Sequence, residues 1–483
     1  MIAGGEKYKL VIGLEVHAQL STESKIFSSD SAHFGKQPNT EVGVITLAHP
    51  GILPKLNKKT IEFAIKMGLA CRSEISRYTI FDRKNYFYPD LPKGYQLTQA
   101  RTPICQGGFI SITLKDGKKS DVKLNRIHLE EDAGKSIHLE NEADTLVDFN
   151  RAGVALIEIV TEPCMHSAEE AGALLSEIRK LVRYLDICDG NMEEGSLRCD
   201  ANVSIKLLEA EGLGKKVEIK NMNSVRNVQR AVEYEFERQV EMLERGEPVI
   251  SETLTFDADL GRTFGMRTKE ELNDYRYFPD PDLSPVVISD TWLSNIKSTM
   301  PALPDELFAK YTTQYRLPEY DARVLTETKE MAAFFESVCL HTQNFKAVSN
   351  WIMGPVKSYL NENALEVDQF PIQPQAMAGL INLVDEEKVS VTVATQRLFN
   401  ELLKSPGESA MALAQNLNLL LESNSGAIEK IVNDVLNDLP LKVAEYKKGK
   451  KGIISMFMGE VMKRSHGKAD PKLANQILLE KLK

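Results

Sequence analysis

The sequence lacks several features that would assign it to a common class of protein. Its six cysteines include no C-x-x-C pair and no Cys/His cluster at zinc spacing, which argues against a disulfide framework or a zinc finger. No apolar run approaches the roughly 18 residues that could span a membrane. The first residues carry no export or organelle signal pattern. We therefore expect a cytoplasmic protein without a membrane segment.

The usual nucleotide-binding signatures are also absent. The sequence contains no G-x-x-x-x-G-K-[ST], no G-x-G-x-x-G and no H-E-x-x-H motif, so any ATP would have to bind on a sheet rather than in a phosphate loop. No G-x-S-x-G elbow or Ser/Gly-rich amidase-like run is present. No hydrolytic nucleophile is therefore visible.

The net charge of −10 argues against a surface coated for nucleic acid. Residues 441–483 differ, because they contain eleven lysines and arginines against four acidic residues. This basic tail is either an ordinary solvated surface or an electrostatic contact for phosphates. The candidate phosphate-contacting residues are Lys447, Lys448, Lys450, Lys451, Lys463, Arg464 and Lys468.

With 483 residues, the chain is long enough for about three domains. Alternating stretches and long helices before residue 290 predict an α+β domain, while the chain beyond 304 is predominantly helical in pattern. Proline-rich and turn-rich segments at 279–304 and 404–409 predict boundaries. The predicted domains are 1–292 (catalytic), 293–406 (helical linker) and 407–483 (helical tail).

Local signals predict where three helices begin. Ser167 and Glu170 have the spacing of a capping box before an apolar stripe. A second helix follows residues 221–224 and ends at Gly246. The last helix is predicted to begin with Asp470 as its cap and a proline at its first position.

Residues 11–20, VIGLEVHAQL, alternate strictly between apolar and polar positions. This period predicts a strand with Glu15 and His17 side by side on one face. A solvated face of an antiparallel sheet would explain these residues without any function.

Three further stretches repeat this pattern and favour a functional interpretation. Carboxylates and basic residues alternate with apolar ones in residues 127–136, 155–163 and 195–205. A sheet that gathers these side chains could bind Mg²⁺ and the phosphates of a nucleotide, although solvated charged faces are also common. Spacing does not decide which carboxylates converge.

Two segments, 81–99 and 274–283, are dense in aromatic residues, charges and prolines. They are interpreted either as packed loops with aromatic residues anchored in the core or as direct binding elements.

Together these motifs resemble the GatB family, which supplies the B subunits of bacterial aspartyl/glutamyl-tRNA(Asn/Gln) amidotransferases. The match runs in order over essentially the whole chain. The matching motifs are VIGLEVHAQL, FDRKNYFYPDLPKGYQ, HLEEDAGKS, LIEIVTEP, MEEGSLRCDANVS, EIKNMNSV, DYRYFPDPDL, SNWIMG and MKRSHGKADP.

The resemblance implies a fold and an activity. The expected fold is α+β, with a glutamine-synthetase-like cradle whose antiparallel sheet binds Mg²⁺ and ATP, followed by an all-α linker and a small all-α tRNA-binding tail. The implied enzyme is a carbon–nitrogen ligase. It phosphorylates the side-chain carboxylate of Glu-tRNA(Gln) or Asp-tRNA(Asn) and lets ammonia replace the phosphate.

The resemblance also implies partners in a heterotrimer. The A subunit, an amidase, would release ammonia from glutamine, and a small C subunit would clamp the pair. The absence of a hydrolytic nucleophile in this chain agrees with that division of labour. Which of the two charged tRNAs is used depends on the synthetases of the organism.

Carried onto this sequence, the resemblance implies metal ligands at His17, Glu131 and Glu158, with Glu15 beside them as a further catalytic residue. The metal would act as a Lewis acid and template. Other residues would shape the pocket or contact the nucleotide: Glu130, Asp132, Lys135, Arg198 and Asp200.

One departure from the family concerns zinc. Many members carry two cysteine pairs at the positions of Ser28, Asp30, Gly43 and Thr46. We therefore expect Mg²⁺ and ATP as cofactors but no zinc.

Two other functions remain possible at this point. A non-catalytic tRNA-binding scaffold would keep the fold without the chemistry, but would have no reason to concentrate carboxylates. A stand-alone ligase that uses free ammonia on a small acid would have no need of the basic tail.

Overall fold

The computed structural model describes residues 7–139, 144–268, 275–421, 425–465 and 468–483. The chain forms two compact units, Met1–Leu303 and Pro304–Lys483. The predicted division into three domains stays a prediction. Across the described ranges, no helix combines the length and apolar character needed to cross a membrane.

In its described residues, the first unit combines many strands with four helices. The strands are β1 (Tyr8–Gln19), β2 (Glu74–Ile75), β3 (Tyr78–Thr79), β4 (Asp82–Asn85), β5 (Tyr95–Thr98), β6 (Cys105–Gln106), β7 (Phe109–Thr113), β8 (Lys119–Glu131), β9 (Lys135–His138), β10 (Thr145–Asp148), β11 (Ala155–Thr161), β12 (Leu197–Leu207), β13 (Val217–Lys220), β14 (Glu252–Asp257), β15 (Arg262–Thr268), β16 (Arg276–Pro279) and β17 (Val286–Val287). The helices are α1 (Lys58–Ala70), α2 (Ala168–Tyr184), α3 (Val225–Glu244) and α4 (Asp290–Ser298).

Most strands belong to one large sheet. Its main path runs β15-β14-β13-β12-β1-β11-β8-β5-β4-β16, and β2, β6 and β7 join beside β8. The pairs are antiparallel except for β13 with β14, which are parallel. Two small sheets, β9 with β10 and β3 with β17, complete the unit. The α+β class is confirmed, and the likeness to a glutamine-synthetase cradle stays a prediction.

Strand β1 lies in the middle of this sheet and has two different faces, as its alternation predicted. Ile12, Leu14 and Val16 are buried in the apolar core, whereas Glu15 and His17 point to the opposite face. The core side is covered by helices, which leaves the polar side as the place for a site.

Helices α2 and α3 pack against each other, and their apolar stripes join the sheet core. Both begin where predicted, because Ser167 and Ser224, the last residue of the segment 221–224, accept hydrogen bonds from backbone N–H groups of the first turn. The predicted capping box differs in one detail. The Glu170 carboxylate accepts from the backbone N–H of His166 rather than from that of Ser167.

The second unit is helical, as its sequence predicted. Its α-helices are α5 (Pro304–Thr313), α6 (Glu319–Leu325), α7 (Lys329–Cys339), α8 (Phe345–Trp351), α9 (Lys357–Asn363), α10 (Pro374–Asp385), α11 (Val391–Val393), α12 (Phe399–Lys404), α13 (Ala410–Asn416), α14 (Ser425–Asp438), α15 (Pro440–Lys447), α16 (Ile454–Arg464) and α17 (Pro471–Lys481). Short π-helical segments lie at Ile352–Val356 and Ala394–Leu398, and 3₁₀ turns at Val367–Gln369 and Lys451–Ile453.

The end of this unit has an apolar core of its own. It contains residues from α14 to α17, including Val432, Phe457 and Leu478. The predicted break at 404–409 falls between α12 and α13. Asp470 caps α17 through the backbone N–H groups of Lys472 and Leu473, as predicted.

Candidate active site

Four neighbouring strands bring polar side chains to one face of the large sheet. β1 lies between β11 and β12, and β8 follows β11. His17 lies directly opposite Glu158 on β11 and Arg198 on β12. Directly opposed residues of antiparallel strands point to the same face. The polar positions identified separately in the sequence therefore form one surface.

The centre of this surface is a cluster of His17, Glu130 and Glu158, called here the acidic cluster. His17 Nε2 lies 3.4 Å from Glu130 Oε1 and 3.7 Å from Glu158 Oε2. One candidate ligand atom from each residue lies within 4.8 Å of the others. Among the described residues, this is the group whose spacing suits a metal ion.

Glu131, expected as the third ligand, lies elsewhere. Its buried carboxylate accepts a hydrogen bond from the backbone N–H of Leu97 at 2.8 Å and pairs with Lys93 Nζ at 2.6 Å. Successive strand residues point to opposite faces, so only one of the adjacent Glu130 and Glu131 can face His17. The structure places Glu130, and not Glu131, beside His17.

His128 is a member of the site that the sequence analysis missed. It is buried on β8, and its Nε2 lies 3.0 Å from Glu158 Oε2. Its Nδ1 has no hydrogen-bond partner within the described residues. The sequence feature that could have identified His128 is its position two residues before Glu130, because this spacing places both side chains on one face of a strand.

The pKa values show how closely the carboxylates are gathered. Burial acts to lower the pKa of His17, but the hydrogen bond with Glu130 and the charges of Glu158, Glu130 and Asp200 outweigh it and raise this pKa to about 9. Burial and then the charge of Glu158 raise the pKa of Glu15. The site therefore has an excess of negative charge that would attract a cation.

The pKa of Glu158 shifts in the other direction, downward. Burial acts to raise its pKa, but the hydrogen bond with His128, the charges of His128 and His17, and the more distant Lys84 hold the pKa well below its usual range. The carboxylate is therefore ionised at neutral pH and ready to bind a cation.

Ion pairs flank the acidic cluster. Asp132 Oδ2 accepts hydrogen bonds from Arg198 at 2.8 Å and from Gln19 at 2.9 Å. Asp200 pairs with Lys220. These expected residues therefore border the site, each with a partner of its own.

Of two further residues expected at the site, Glu15 lies on the polar face of the sheet and Lys135 does not. Glu15 lies on the polar face and accepts a hydrogen bond from Asn202 at 2.9 Å. Lys135 is exposed on β9, opposite Asp148 of the small two-stranded sheet. The structure brings Glu15 to the polar face and places Lys135 outside it.

The donor set of the acidic cluster fits a hard divalent cation. Two carboxylates and one imidazole are ligands that Mg²⁺ or Mn²⁺ accepts, and the remaining positions would be free for water or phosphate oxygens. The unbalanced carboxylate charge around His17 and Glu15 agrees with this assignment.

Comparison with known proteins now assigns the family. The family model for the GatB/GatE catalytic domain matches residues 10–294, and the model for the GatB domain matches residues 333–482. The chain belongs to the GatB/GatE family. The residues of the acidic cluster all lie within the part that matches the catalytic domain.

Relatives of this GatB/GatE family member match over almost their whole length. The protein of Alkalilimnicola ehrlichii is 46% identical over 477 residues, covering 99% of each chain. That of Thermodesulfovibrio yellowstonii is 45% identical, with 99% of this chain and all of the relative covered. That of Chlorobaculum tepidum is 47% identical over 98% of both. All three are named as the B subunit of an aspartyl/glutamyl-tRNA(Asn/Gln) amidotransferase.

The four positions from which the sequence predicts that no zinc is bound lie together. Asp30 Oδ2 accepts hydrogen bonds from Ser28 Oγ at 3.0 Å, from the backbone N–H of Gly43 at 2.9 Å and from the Thr46 hydroxyl. A Cβ at position 43 would lie only 3.1 Å from Asp30 Cγ. The carboxylate thus has three donors from the protein, and the absence of zinc stays a prediction.

The basic tail residues of this family member lie on or beside α15 to α17. Lys447, Lys448, Lys450, Lys451 and Lys463 are exposed, and Lys468 is half-buried. Arg464 differs, because it pairs with Asp438 at 2.7 Å and with Glu460 at 3.3 Å. His466 and Gly467 of the basic motif lie outside the described residues.

The two aromatic segments only partly follow the interpretation as packed loops. Phe81 is buried in the core. Phe87, Tyr88, Tyr275, Tyr277 and Phe278 are exposed, and Asp274 lies outside the described residues.

Proposed function

We propose that this chain carries out the amide-forming half of tRNA-dependent transamidation. ATP would transfer its γ-phosphoryl group to the side-chain carboxylate of a glutamate or aspartate attached to tRNA(Gln) or tRNA(Asn), giving ADP and an acyl phosphate. Ammonia would then attack the acyl carbon and release phosphate, leaving the amide. The reaction is that of a carbon–nitrogen ligase.

The acidic cluster is the observation that supports this proposal. A domain of the GatB/GatE catalytic family gathers His17, Glu130 and Glu158 on one sheet face. Mg²⁺ bound there would reduce the repulsion between a carboxylate and the polyphosphate that it approaches. A scaffold without chemistry would gain nothing from buried carboxylates that repel one another.

The residues around the cluster have distinct proposed tasks. His128 positions the Glu158 carboxylate through the 3.0 Å contact. Arg198, paired with Asp132, offers further N–H donors toward a phosphate, since a guanidinium has five.

The basic tail is the proposed contact with tRNA. Its exposed lysines present positive charge on an otherwise acidic protein, which suits the phosphate backbone of RNA. The names of the relatives describe one component of a multi-subunit amidotransferase. We propose that a partner amidase, the A subunit, supplies the ammonia and that a small C subunit completes the heterotrimer.

The test is amide formation by the complex with Glu158→Gln, using glutamine or ammonium chloride as nitrogen donor. We expect the variant to lose at least about 100-fold in rate with either donor, because even the partners of metal ligands contribute about 10- to 100-fold. Glu74→Gln, at an exposed carboxylate on β2, is the matched control and should keep the wild-type rate.

Equal rates for Glu158→Gln and wild type would contradict the proposal and favour a scaffold. A defect with glutamine but not with ammonium chloride would place the role of Glu158 in coupling to the amidase instead. Amide formation on free glutamate without tRNA would indicate a small-molecule ligase.

A further inference from the structure

Glu15 differs from the other carboxylates at the site because it has no basic partner. It lies half-buried on β1, two residues before His17 and on the same face of the sheet. Its Oε1 accepts a hydrogen bond from Asn202 Nδ2 at 2.9 Å, and within the described residues its Oε2 accepts none. No lysine, arginine or histidine among these residues lies within ion-pair distance of its carboxylate.

The neighbouring carboxylates each have a basic side chain close by. The pairs are Glu130 with His17 at 3.4 Å, Glu158 with His128 at 3.0 Å, Asp132 with Arg198 at 2.8 Å and Glu218 with Lys220 at 2.9 Å. Asp200 lies directly opposite Glu15 on β12 and also pairs with Lys220. The negative charge of Glu15 is therefore left for a cation that the protein itself does not supply.

The proposed substrate carries a cation near the carboxylate that reacts. The α-amino group of an amino acid esterified to tRNA is protonated at neutral pH, since α-amino pKa values lie at about 7.7–8.0. In glutamate the α-nitrogen is at most about 5 Å from the side-chain carboxyl carbon, by ordinary bond lengths. Glu15 is about 7 Å along β1 from His17. A glutamate whose side chain lies at the acidic cluster can thus place its ammonium group at Glu15.

We propose that Glu15 binds the α-ammonium group of the glutamate or aspartate attached to tRNA. Asn202 positions the Glu15 carboxylate by holding Oε1, which leaves Oε2 for the substrate. Glu15 is then a residue that determines specificity, because an amino acid with an acylated α-nitrogen lacks the charge. The assignment rests on the proposed function, since it assumes that the charged tRNA presents its amino acid on this face.

A second metal ion suits Glu15 less well than an ammonium group does. The described residues with the spacing of metal ligands are His17, Glu130 and Glu158, without Glu15. The neighbour that contacts Glu15 is the Nδ2 donor of Asn202, which would repel a metal ion. An ammonium group has three N–H donors and needs only acceptors.

The nitrogen nucleophile is also a poorer occupant. Ammonia must reach the acyl carbon with its lone pair free. A carboxylate without a partner favours the protonated ammonium ion, which has no lone pair. The α-ammonium group of the substrate keeps its charge throughout the reaction, so the contact with Glu15 costs no reactivity.

The test compares two RNAs that differ in one group. One is tRNA(Gln) charged with glutamate, and the other is tRNA(Gln) acylated with 2-hydroxyglutarate, in which a neutral hydroxyl of similar size replaces the α-ammonium. Their affinities for the complex with partner subunits are measured at about pH 6.5, below the α-amino pKa, with Mg²⁺ and a non-hydrolysable ATP analogue. No turnover is needed. The wild type should prefer glutamate by about 10- to 150-fold, the range for a hydrogen bond between charged groups.

Glu15→Gln should bind the two RNAs within about threefold of each other, because a neutral amide attracts a cation much less than a carboxylate does. Glu15→Asp keeps the charge on a side chain shorter by one methylene group and should keep part of the preference. Glu74→Gln, at the exposed carboxylate on β2, is the matched control and should keep all of it.

Three results would overturn the assignment and leave the proposed function standing. The first is an equal preference for glutamate in wild type and Glu15→Gln, and the second is equal affinity of the wild type for both RNAs. The third is an intact preference in Glu15→Gln together with a raised requirement for Mg²⁺ or for ammonium chloride in amide formation. That result would assign Glu15 to the metal or to the nitrogen donor. A wild-type complex that forms no amide on Glu-tRNA(Gln) would overturn both proposals.

Discussion

Lys25 is fully buried and has no carboxylate in direct contact among the described residues. Its ammonium donates to the backbone carbonyl oxygens of Glu41 at 2.7 Å and Phe149 at 3.4 Å. Burial lowers its pKa to about 8, although the charges of nearby acids such as Asp30 partly oppose this. The lysine thus binds its proton less tightly in the folded than in the unfolded state.

This shift predicts a pH dependence of stability. Between about pH 8 and the unfolded pKa of about 10.4, the unfolded chain binds more protons at this position. The Lys25 contribution therefore makes the free energy of unfolding rise with pH across this window, with no change below it. Lys25→Met should lose this rise, measured by urea unfolding at several pH values. Lys36→Met, at an exposed lysine, should keep it, and a parallel pH profile for Lys25→Met and wild type would contradict the account.

At the scale of single residues, the sequence identified the chemistry of the site but not every member. The alternation in β1 predicted that Glu15 and His17 share a face, and the resemblance to the GatB family implied that Glu158 lies beside them. Alternation could not choose between Glu130 and Glu131, because the starting point of the alternation depends on how β8 pairs with β11. The packing of the whole sheet against its core decides this register, and the sequence of one strand does not reveal that packing.

At the scale of elements, two glycines inside helices test how closely those helices pack. A Cβ at Gly68 of α1 would clash with Cys105 Sγ and lie 2.9 Å from Ile75 Cδ1. A Cβ at Gly459 of α16 would meet nothing within 4 Å. The first glycine permits a close approach to the sheet, whereas the second only lowers helix propensity.

We predict opposite effects for the two alanine variants. Gly68→Ala should destabilise α1 by about 1–3 kcal/mol through overpacking. Gly459→Ala should stabilise α16 by about 0.5–1 kcal/mol. Hydrogen exchange of the amides in each helix measures both changes. Increased protection of α1 in Gly68→Ala would show that this contact is not tight.

Elements with strong local signals were predicted well, and those that depend on distant contacts were not. Ser224 and Asp470 begin helices because their side chains bond to N–H groups a few residues away. The parallel pairing of β13 with β14 follows a crossover through α3. Strand β16 pairs with β4, almost 200 residues earlier. Local residue patterns do not specify either pairing.

At the scale of the whole molecule, charge is distributed unevenly between an acidic body and a basic tail. If about five phosphates are neutralised, the slope of log affinity for tRNA against log salt should be about −3.5 to −4.5. Replacing Lys447, Lys448, Lys450 and Lys451 by alanine should reduce the magnitude of this slope by up to about 2.8 to 3.6. Four exposed lysines of the first unit serve as the control, and replacing them by alanine should leave the slope unchanged. These are Lys36, Lys55, Lys118 and Lys123. Binding independent of salt would exclude an electrostatic role for the tail.

We propose that the acidic cluster on the sheet is where ATP activates the carboxylate on tRNA. The most direct test is the Mg²⁺ dependence of ATP cleavage by the complex, with and without Glu-tRNA(Gln), for wild type, Glu130→Gln and Glu131→Gln. We predict cleavage that requires the charged tRNA and a Mg²⁺ requirement raised at least about 10-fold in Glu130→Gln. Glu131→Gln should keep the wild-type Mg²⁺ requirement whatever its maximal rate. A raised Mg²⁺ requirement in Glu131→Gln, with an unchanged requirement in Glu130→Gln, would contradict the assignment of the metal site to the acidic cluster.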